Sequence, residues 1–142
     1  MDEACYPWSL TRCTFYGNGV GVWSVTADAR VTIENTIIAY STEGPALPNP
    51  YPVVPSCCDF YGNAGGDWLY LEDYLGVNGN ICADPLFCDP ANGDFHLSCH
   101  SPCAPFSPPN DECDLIGAWP VGCGLTPARV VTWGGLKRRF RE

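Results

Sequence analysis

The chain has 142 residues, with 15 Gly, 14 Pro and 10 Cys but only 16% charged residues, and this composition favours one turn-rich all-β domain over a helical or disordered chain. Residues 1–128 hold 15 acidic and two basic side chains, a net charge of −13, whereas residues 129–142 have a net charge of +4. An acidic body repels phosphate backbones, which excludes nucleic acid as a partner, and no apolar run approaches the roughly 18 residues of a membrane span.

The cysteine content indicates an oxidising compartment, so we expect the protein to be secreted or exposed at the cell surface. Residues 1–7, MDEACYP, have neither the basic nor the apolar region of a signal peptide. The simplest interpretation is that the chain is the C-terminal part of a longer exported protein. Structural zinc is the alternative use of the cysteines, but the crowded candidate at residues 96–103 lacks the usual ligand spacing.

An internal repeat predicts the architecture of residues 1–68. The sextet CTFYGN at residues 13–18 recurs as CDFYGN at residues 58–63, an offset of 45. TIIAYS at residues 36–41 fits the same frame at offsets of 23 and then 22. A period near 22 suits one coil of a parallel β-solenoid, in which coils stack strand on strand about 4.8 Å apart. The sequence predicts about three coils.

Each coil has a recognisable inward face and turn. Val31 and Ile33 alternate with polar residues, as a strand with one buried face requires. Asn18, Ser41 and Asn63 fall in one turn column, where small polar side chains bond neighbouring backbone groups. A stack of coils has an open edge, and we expect further coils or self-association to cover it.

The repeat ends near residue 69, and residues 69–123 are predicted to form a cysteine-rich terminal coil and cap. Three segments in this part are predicted as strands: residues 84–88, 94–97 and 113–119. Residues 124–142 are predicted as a linker and a basic tail, either solvated or attracted to an acidic or anionic surface.

Motifs of the C-terminal half occur in a characteristic order: DPLF at residues 84–87, GDFHL at 93–97, SP at 101–102 and DLIGA at 114–118. With the upstream coils, they make residues 9–123 resemble the C-terminal region of bacterial right-handed parallel β-helix repeat proteins, which are similar in fold to pectate lyases. The resemblance implies a short right-handed β-helix and an extracellular or cell-surface location. A structural or adhesive role needs no special residues and is therefore the favoured function.

The cysteine positions allow two kinds of prediction. Cys13 and Cys58 share a column two coils apart, so their Cα atoms should be about 9–10 Å apart, beyond the roughly 7 Å limit of a disulfide. In the cap, pairing of Cys103 with Cys113 would close the Pro-rich loop. Pairing of Cys88 with Cys99 would join the two strands around residues 89–93. Six cap cysteines allow 15 pairings, so other arrangements stay open.

Aromatic side chains are the candidate glycan-binding residues, with Trp23, Tyr61 and Trp68 as the selected set. Flat aromatic faces along one side of a solenoid suit stacking on a polysaccharide. The alternative for the same residues is packing beneath loops and at the ends of the coil stack.

Calcium is the one cofactor that the sequence suggests, at Asp89, Asn92 and Asp94, whose spacing is faintly similar to that of calcium loops. A turn formed by Asp-Pro and Asn-Gly explains the same residues without a ligand. The alternative function is a polysaccharide lyase or glycoside hydrolase acting on acidic polysaccharide. Its basic candidates are only Arg12 and Arg30, and no residue is assigned a catalytic role.

Overall fold

The computed structural model describes residues 7–23, 30–48 and 53–124. Most of the predicted basic tail, residues 125–142, lies outside these ranges. The described residues contain nine short strands and two 3-10 helices, Glu72–Tyr74 and Pro90–Asn92. None of the helices in these ranges is long and apolar enough to cross a membrane. The prediction of an all-β fold is confirmed.

Successive coils contribute one strand to each of two parallel sheets. The strands of the three regular coils are β1 (Trp8–Thr11) and β2 (Thr14–Tyr16), β3 (Val31–Glu34) and β4 (Ile37–Ala39), and β5 (Val53–Ser56) and β6 (Asp59–Tyr61). One sheet has the order β1–β3–β5 and the other β2–β4–β6. Thr14 pairs with Ile37 and Ile37 with Asp59, which is the register that the repeated sextets predict. The chain is a β-solenoid of stacked parallel strands, as predicted.

The solenoid has about five turns, so the prediction of about three coils was too low. Ile81 forms a parallel bridge with Asp59, and the Ile81 N–H donates to the carbonyl of Cys58 at 2.8 Å. The Cys57 N–H donates to the carbonyl of Asn78 at 2.9 Å. A fourth turn therefore stacks on β5 and β6. It lacks the sextet that identifies the first three coils in the sequence.

Apolar side chains from successive coils fill the interior. Val31, Ile33, Ile38 and Phe60 are each at most 1% exposed and belong to one buried cluster. They alternate along their strands with residues that face outward, because neighbouring side chains of a strand point to opposite faces. The inward prediction for Val31 and Ile33 is confirmed.

Buried asparagines connect the turns of neighbouring coils. The Ser41 N–H donates to Asn63 Oδ1 at 3.0 Å, and Asn63 Nδ2 donates to the carbonyl of Ile38 at 2.9 Å. Asn80 repeats this arrangement with the N–H of Cys58 and the carbonyl of Pro55, both at 3.0 Å. One amide thus satisfies a donor and an acceptor on the preceding coil. The contacts of Asn63 confirm the role predicted for that member of the turn column, whereas Asn80 aligns with Cys58 and lies in a different column.

Residues 84–124, here called the flank segment, pack along the outer face of the β2–β4–β6 sheet. The Ala118 N–H donates to Thr14 Oγ1 at 2.9 Å, and the Gly117 N–H donates to the carbonyl of Asn35 at 2.7 Å. These contacts reach the first and second coils, so the segment runs along the stack and does not only cover its end.

The flank segment contains a three-stranded sheet of order β7–β8–β9. Its strands are β7 (Phe87–Asp89), β8 (Asp94–Ser98) and β9 (Val121–Cys123). Strands β7 and β8 are antiparallel and form the hairpin that the sequence predicts. The prediction of a strand over residues 113–119 was wrong, because these residues turn against the solenoid and the third strand begins at Val121.

Two disulfides fasten the flank segment. Cys57 bonds to Cys113 with a Cα separation of 5.8 Å, and Cys88 bonds to Cys123 with a Cα separation of 5.9 Å. The first links the third coil to the flank segment across 56 residues of sequence, and the second closes the three-stranded sheet across 35. Both separations fall in the normal range for disulfides.

The predicted pairings of Cys103 with Cys113 and of Cys88 with Cys99 were therefore wrong. Both assumed that pairs form within the C-terminal half between cysteines that are close in sequence. Cys103 is instead a fully buried free thiol, and the Cys99 thiol donates to the carbonyl of Gly124 at 3.1 Å.

The prediction that Cys13 and Cys58 do not bond to each other is confirmed, since both are free thiols. They share a column with Thr36, which lies between them. Burial raises the pKa of Cys58 to about 12, so this thiol stays protonated and donates to the carbonyl of Ile33 at 3.2 Å.

Candidate functional site

Trp68 does not fit the glycan-binding role predicted for it, because it belongs to the solenoid core. Its side chain is 6% exposed, and its ring stacks on Phe60 with centroids 4.4 Å apart. Its indole N–H donates to the carbonyl of Ile81 at 3.2 Å, so its polar atom is satisfied internally. The packing alternative is the correct one for this residue.

The other two residues of the predicted glycan set lie in different surroundings. Tyr61 is half-buried on the outer face of the β2–β4–β6 sheet, edge-to-face with Tyr40 at 5.8 Å between centroids. Tyr40 contacts Tyr16 in turn at 5.5 Å, which makes an aromatic column across three coils. Trp23 is 66% exposed at the end of the first described range. The three predicted residues therefore do not form one surface: Trp68 lies in the core, Tyr61 on the outer face of a sheet, and Trp23 is exposed.

The three residues predicted for calcium form the turn between β7 and β8. Asn92 Nδ2 donates to Asp89 Oδ2 at 2.8 Å, and Gly93 adopts a left-handed φ of 77°. The backbone N–H of His96 donates to Asp94 Oδ1 at 3.1 Å. Over the described ranges, no group of three or more His, Cys, Asp or Glu residues is arranged to hold a metal ion. These contacts are those of the turn alternative, and calcium binding stays a prediction.

A polar and aromatic surface site that the sequence reasoning missed consists of Asp94, His96 and Trp119, here called the Trp119 site. His96 Nδ1 lies 2.6 Å from Asp94 Oδ1, and its ring contacts Trp119 edge-to-face at 4.7 Å between centroids. The hydrogen bond from His96 lowers the pKa of Asp94 below its usual value. Trp119 is 41% exposed.

The fold brings these residues together through the parallel pairing of β8 with β9. Leu97 pairs with Val121, an offset of 24 residues, so side chains one coil apart in sequence become neighbours. The sequence contained one indication of this site, because His96 and Trp119 are 23 residues apart, which is close to one coil period. An exposed indole beside a carboxylate and an imidazole combines a flat apolar surface with hydrogen-bonding groups, which suits the recognition of a sugar ring.

A buried acid–thiol pair lies between the third coil and the flank segment. Asp59 is fully buried, its Oδ1 accepts from the Ala83 N–H, and its Oδ2 accepts from the Cys103 thiol, both at 3.0 Å. The pKa of Asp59 is raised to about 7, mainly because the carboxyl group is buried. The nearby carboxylates of Asp67 and Asp84 add to this rise, whereas the two hydrogen bonds oppose it. Burial and the charge of Asp59 raise the pKa of Cys103 well above its ordinary value. Because both side chains are fully buried, no substrate reaches them, and we expect the pair to affect the stability of the fold.

A pocket of about 380 Å³ opens between the fourth turn, residues 75–82, and residues 109–112 of the flank segment. Asn110 joins its two walls, since Asn110 Nδ2 donates to the carbonyl of Gly79 at 2.7 Å and Asn110 Oδ1 accepts from the Cys113 N–H at 3.2 Å. The volume is within the usual range for ligand sites.

Comparison with known proteins finds no protein-family model, no curated protein and no solved structure that matches this chain.

Proposed function

We propose that this chain is an exported solenoid of the right-handed parallel β-helix type, with a structural or adhesive role at a cell surface. The observation that carries the proposal is the disulfide between Cys57 and Cys113, which holds the flank segment against the coils. A cross-link between residues so distant in sequence is typical of proteins that fold in an oxidising compartment. The cross-linked chain is a rigid body whose surface sites are held in fixed positions.

Adhesion in this proposal means the binding of a neutral glycan at the Trp119 site. The exposed indole supplies the stacking surface, and Asp94 and His96 supply hydrogen-bonding groups beside it. The acidic body, with a net charge of −13 over residues 1–128, favours neutral sugars over uronates by simple repulsion. Trp23, which is more exposed but has no such polar pair among its described contacts, is the second candidate.

The test compares two tryptophan variants of the disulfide-intact chain on an array of neutral and acidic oligosaccharides. We expect Trp119→Ala to weaken binding of a neutral glycan about 30-fold, because loss of a central aromatic contact costs about 2 kcal/mol. Trp23→Ala tests the second candidate, and because we place the site at Trp119 this variant should bind as the unmodified chain does. Equal loss in both variants would contradict the assignment of the site. Release of unsaturated uronates from polygalacturonate would indicate a lyase instead.

End-to-end self-association is the second partner that we propose. Among the described residues, β1 and β2 each have a strand neighbour on one side only. Such strands present unpaired backbone groups that another chain can extend. Sedimentation velocity over a range of protein concentrations tests the idea, and a monomer at every concentration would contradict it.

A further inference from the structure

The pocket between residues 75–82 and 109–112 carries negative charge, and no basic side chain of the described residues pairs with it. Asp111 and Glu112 are exposed and line it. The basic side chains among the described residues are Arg12 and Arg30, and Arg12 bonds to Asp114 at 3.4 Å. Neither pocket carboxylate has an ionic partner in the described part of the chain. Two adjacent like charges favour the approach of a cation.

Apolar surface lies next to these charges. Leu75, Ile81 and Pro109 also line the pocket, and Leu75 is 44% exposed. An apolar wall beside an acidic rim suits a long basic side chain, whose stem packs on apolar atoms while its charged end meets a carboxylate. Because Asn110 already joins the two walls, binding need not order them, and this lowers the entropic cost of association.

The chain itself contains a segment with this chemistry. Residues 129–142 hold five of the seven basic residues together with Trp133, Leu136 and Phe140. Lys137 follows Gly124, the last described residue, by 13 positions, and 13 extended residues span up to about 45 Å. A domain of this length has a radius of gyration of only about 14 Å, so the whole surface is within reach.

We propose that the pocket binds the basic segment 129–142 of its own chain. The opposite charges of the segment, +4, and of the body, −13, drive the association. Asp111 and Glu112 accept the basic groups, and Leu75 packs against apolar parts of the segment. This proposal goes beyond the adhesive role, does not depend on it, and concerns different residues from those of the Trp119 site.

Zero-length carbodiimide cross-linking tests the proposal on the full chain. Lys137 is the only lysine among the 142 residues, and the reagent joins its amine to a carboxylate only when the two are in direct contact. We expect an amide between Lys137 and Asp111 or Glu112 within one chain, identified by peptide mass spectrometry. The yield should fall in 1 M salt, where the screening length is about 3 Å. Lys137→Arg distinguishes this product from coupling at the N-terminal amine.

A pair of charge-neutral variants supplies the matched comparison. Asp111→Asn combined with Glu112→Gln removes the pocket carboxylates and should abolish the Lys137 cross-link. Glu34→Gln combined with Glu43→Gln removes two exposed carboxylates of the second coil and should leave it unchanged. Coupling of Lys137 mainly to other carboxylates, no coupling of Lys137, or coupling only between isotopically distinct chains would each overturn the proposal.

Discussion

Protonation of Asp59 should control the stability of the interface between the third coil and the flank segment. The carboxyl group is fully buried and accepts hydrogen bonds from the Ala83 N–H and the Cys103 thiol. In the folded chain its pKa is about 7, whereas the ordinary value is 3.8. Folding therefore favours the protonated form, and stability should decrease as the pH rises from 3.8 to about 7 and level off above that.

The size of the effect follows from the two pKa values. The contribution of Asp59 is fully present below pH 3.8 and is lost as the pH rises through about 7. The total is about 4 kcal/mol, at 1.36 kcal/mol for each pH unit between the two values. Integration between pH 5 and pH 8 gives a loss of about 3 kcal/mol in the free energy of unfolding.

Urea unfolding of the disulfide-intact chain, followed by tryptophan fluorescence, to which the buried Trp68 contributes, measures this dependence at unit steps from pH 5 to pH 8. Asp59→Asn should remove most of the slope, because an amide can accept from Ala83 and donate to the Cys103 sulfur without ionising. Asp89→Asn, at an exposed carboxylate, is the control and should keep the slope of the unmodified chain. Equal slopes in the Asp59→Asn variant and the unmodified chain would contradict the role assigned to Asp59.

Three further substitutions test the contacts that hold the fold. Cys113→Ser should lower the free energy of unfolding by about 4 kcal/mol, the value for a loop of 56 residues, and non-reducing peptide mapping of the unmodified chain checks the pairing itself. Asn80→Ala should lower the free energy of unfolding, measured by chemical denaturation, by about 3 kcal/mol, because a backbone donor and a backbone acceptor lose their buried partner. The exposed Asn92→Ala is the comparison and should lower it by less than about 0.5 kcal/mol. Gly79→Ala should lower the free energy of unfolding, measured by thermal unfolding, by at least about 3 kcal/mol, since the new Cβ would overlap Cys113 Sγ. Gly76 has a similar positive φ but open space around it, so Gly76→Ala should lower the free energy of unfolding by only about 1 kcal/mol.

The coil stack was predictable because its information is local and repeated. The sextets beginning at Cys13, Thr36 and Cys58 predict the register that the parallel pairing adopts. The turn column could also be predicted, because an asparagine such as Asn63 serves the same backbone groups wherever a coil ends. The fourth turn lacks the sextet, and only backbone contacts at Ile81 reveal it.

The candidate sites were less accessible to sequence reasoning. Trp68 resembles an exposed sugar-binding residue until the structure places its ring on Phe60. Trp119 meets His96 only because β8 and β9 pair in parallel. The burial that shifts the pKa of Asp59 arises from packing of the flank segment, which the coil period does not describe.

The amino-acid sequence alone predicts a parallel solenoid, its repeat length, its inward residues and the separation of Cys13 from Cys58. These follow from the period, since each coil must bury its inner face against the next coil in register. The position of the flank segment along the coils and the bond between Cys57 and Cys113 become evident only in the folded chain. Contacts across 56 to 104 residues, such as that disulfide and the bond from Ala118 to Thr14, depend on the shape and chemistry of two finished surfaces. No local pattern encodes the match between those surfaces.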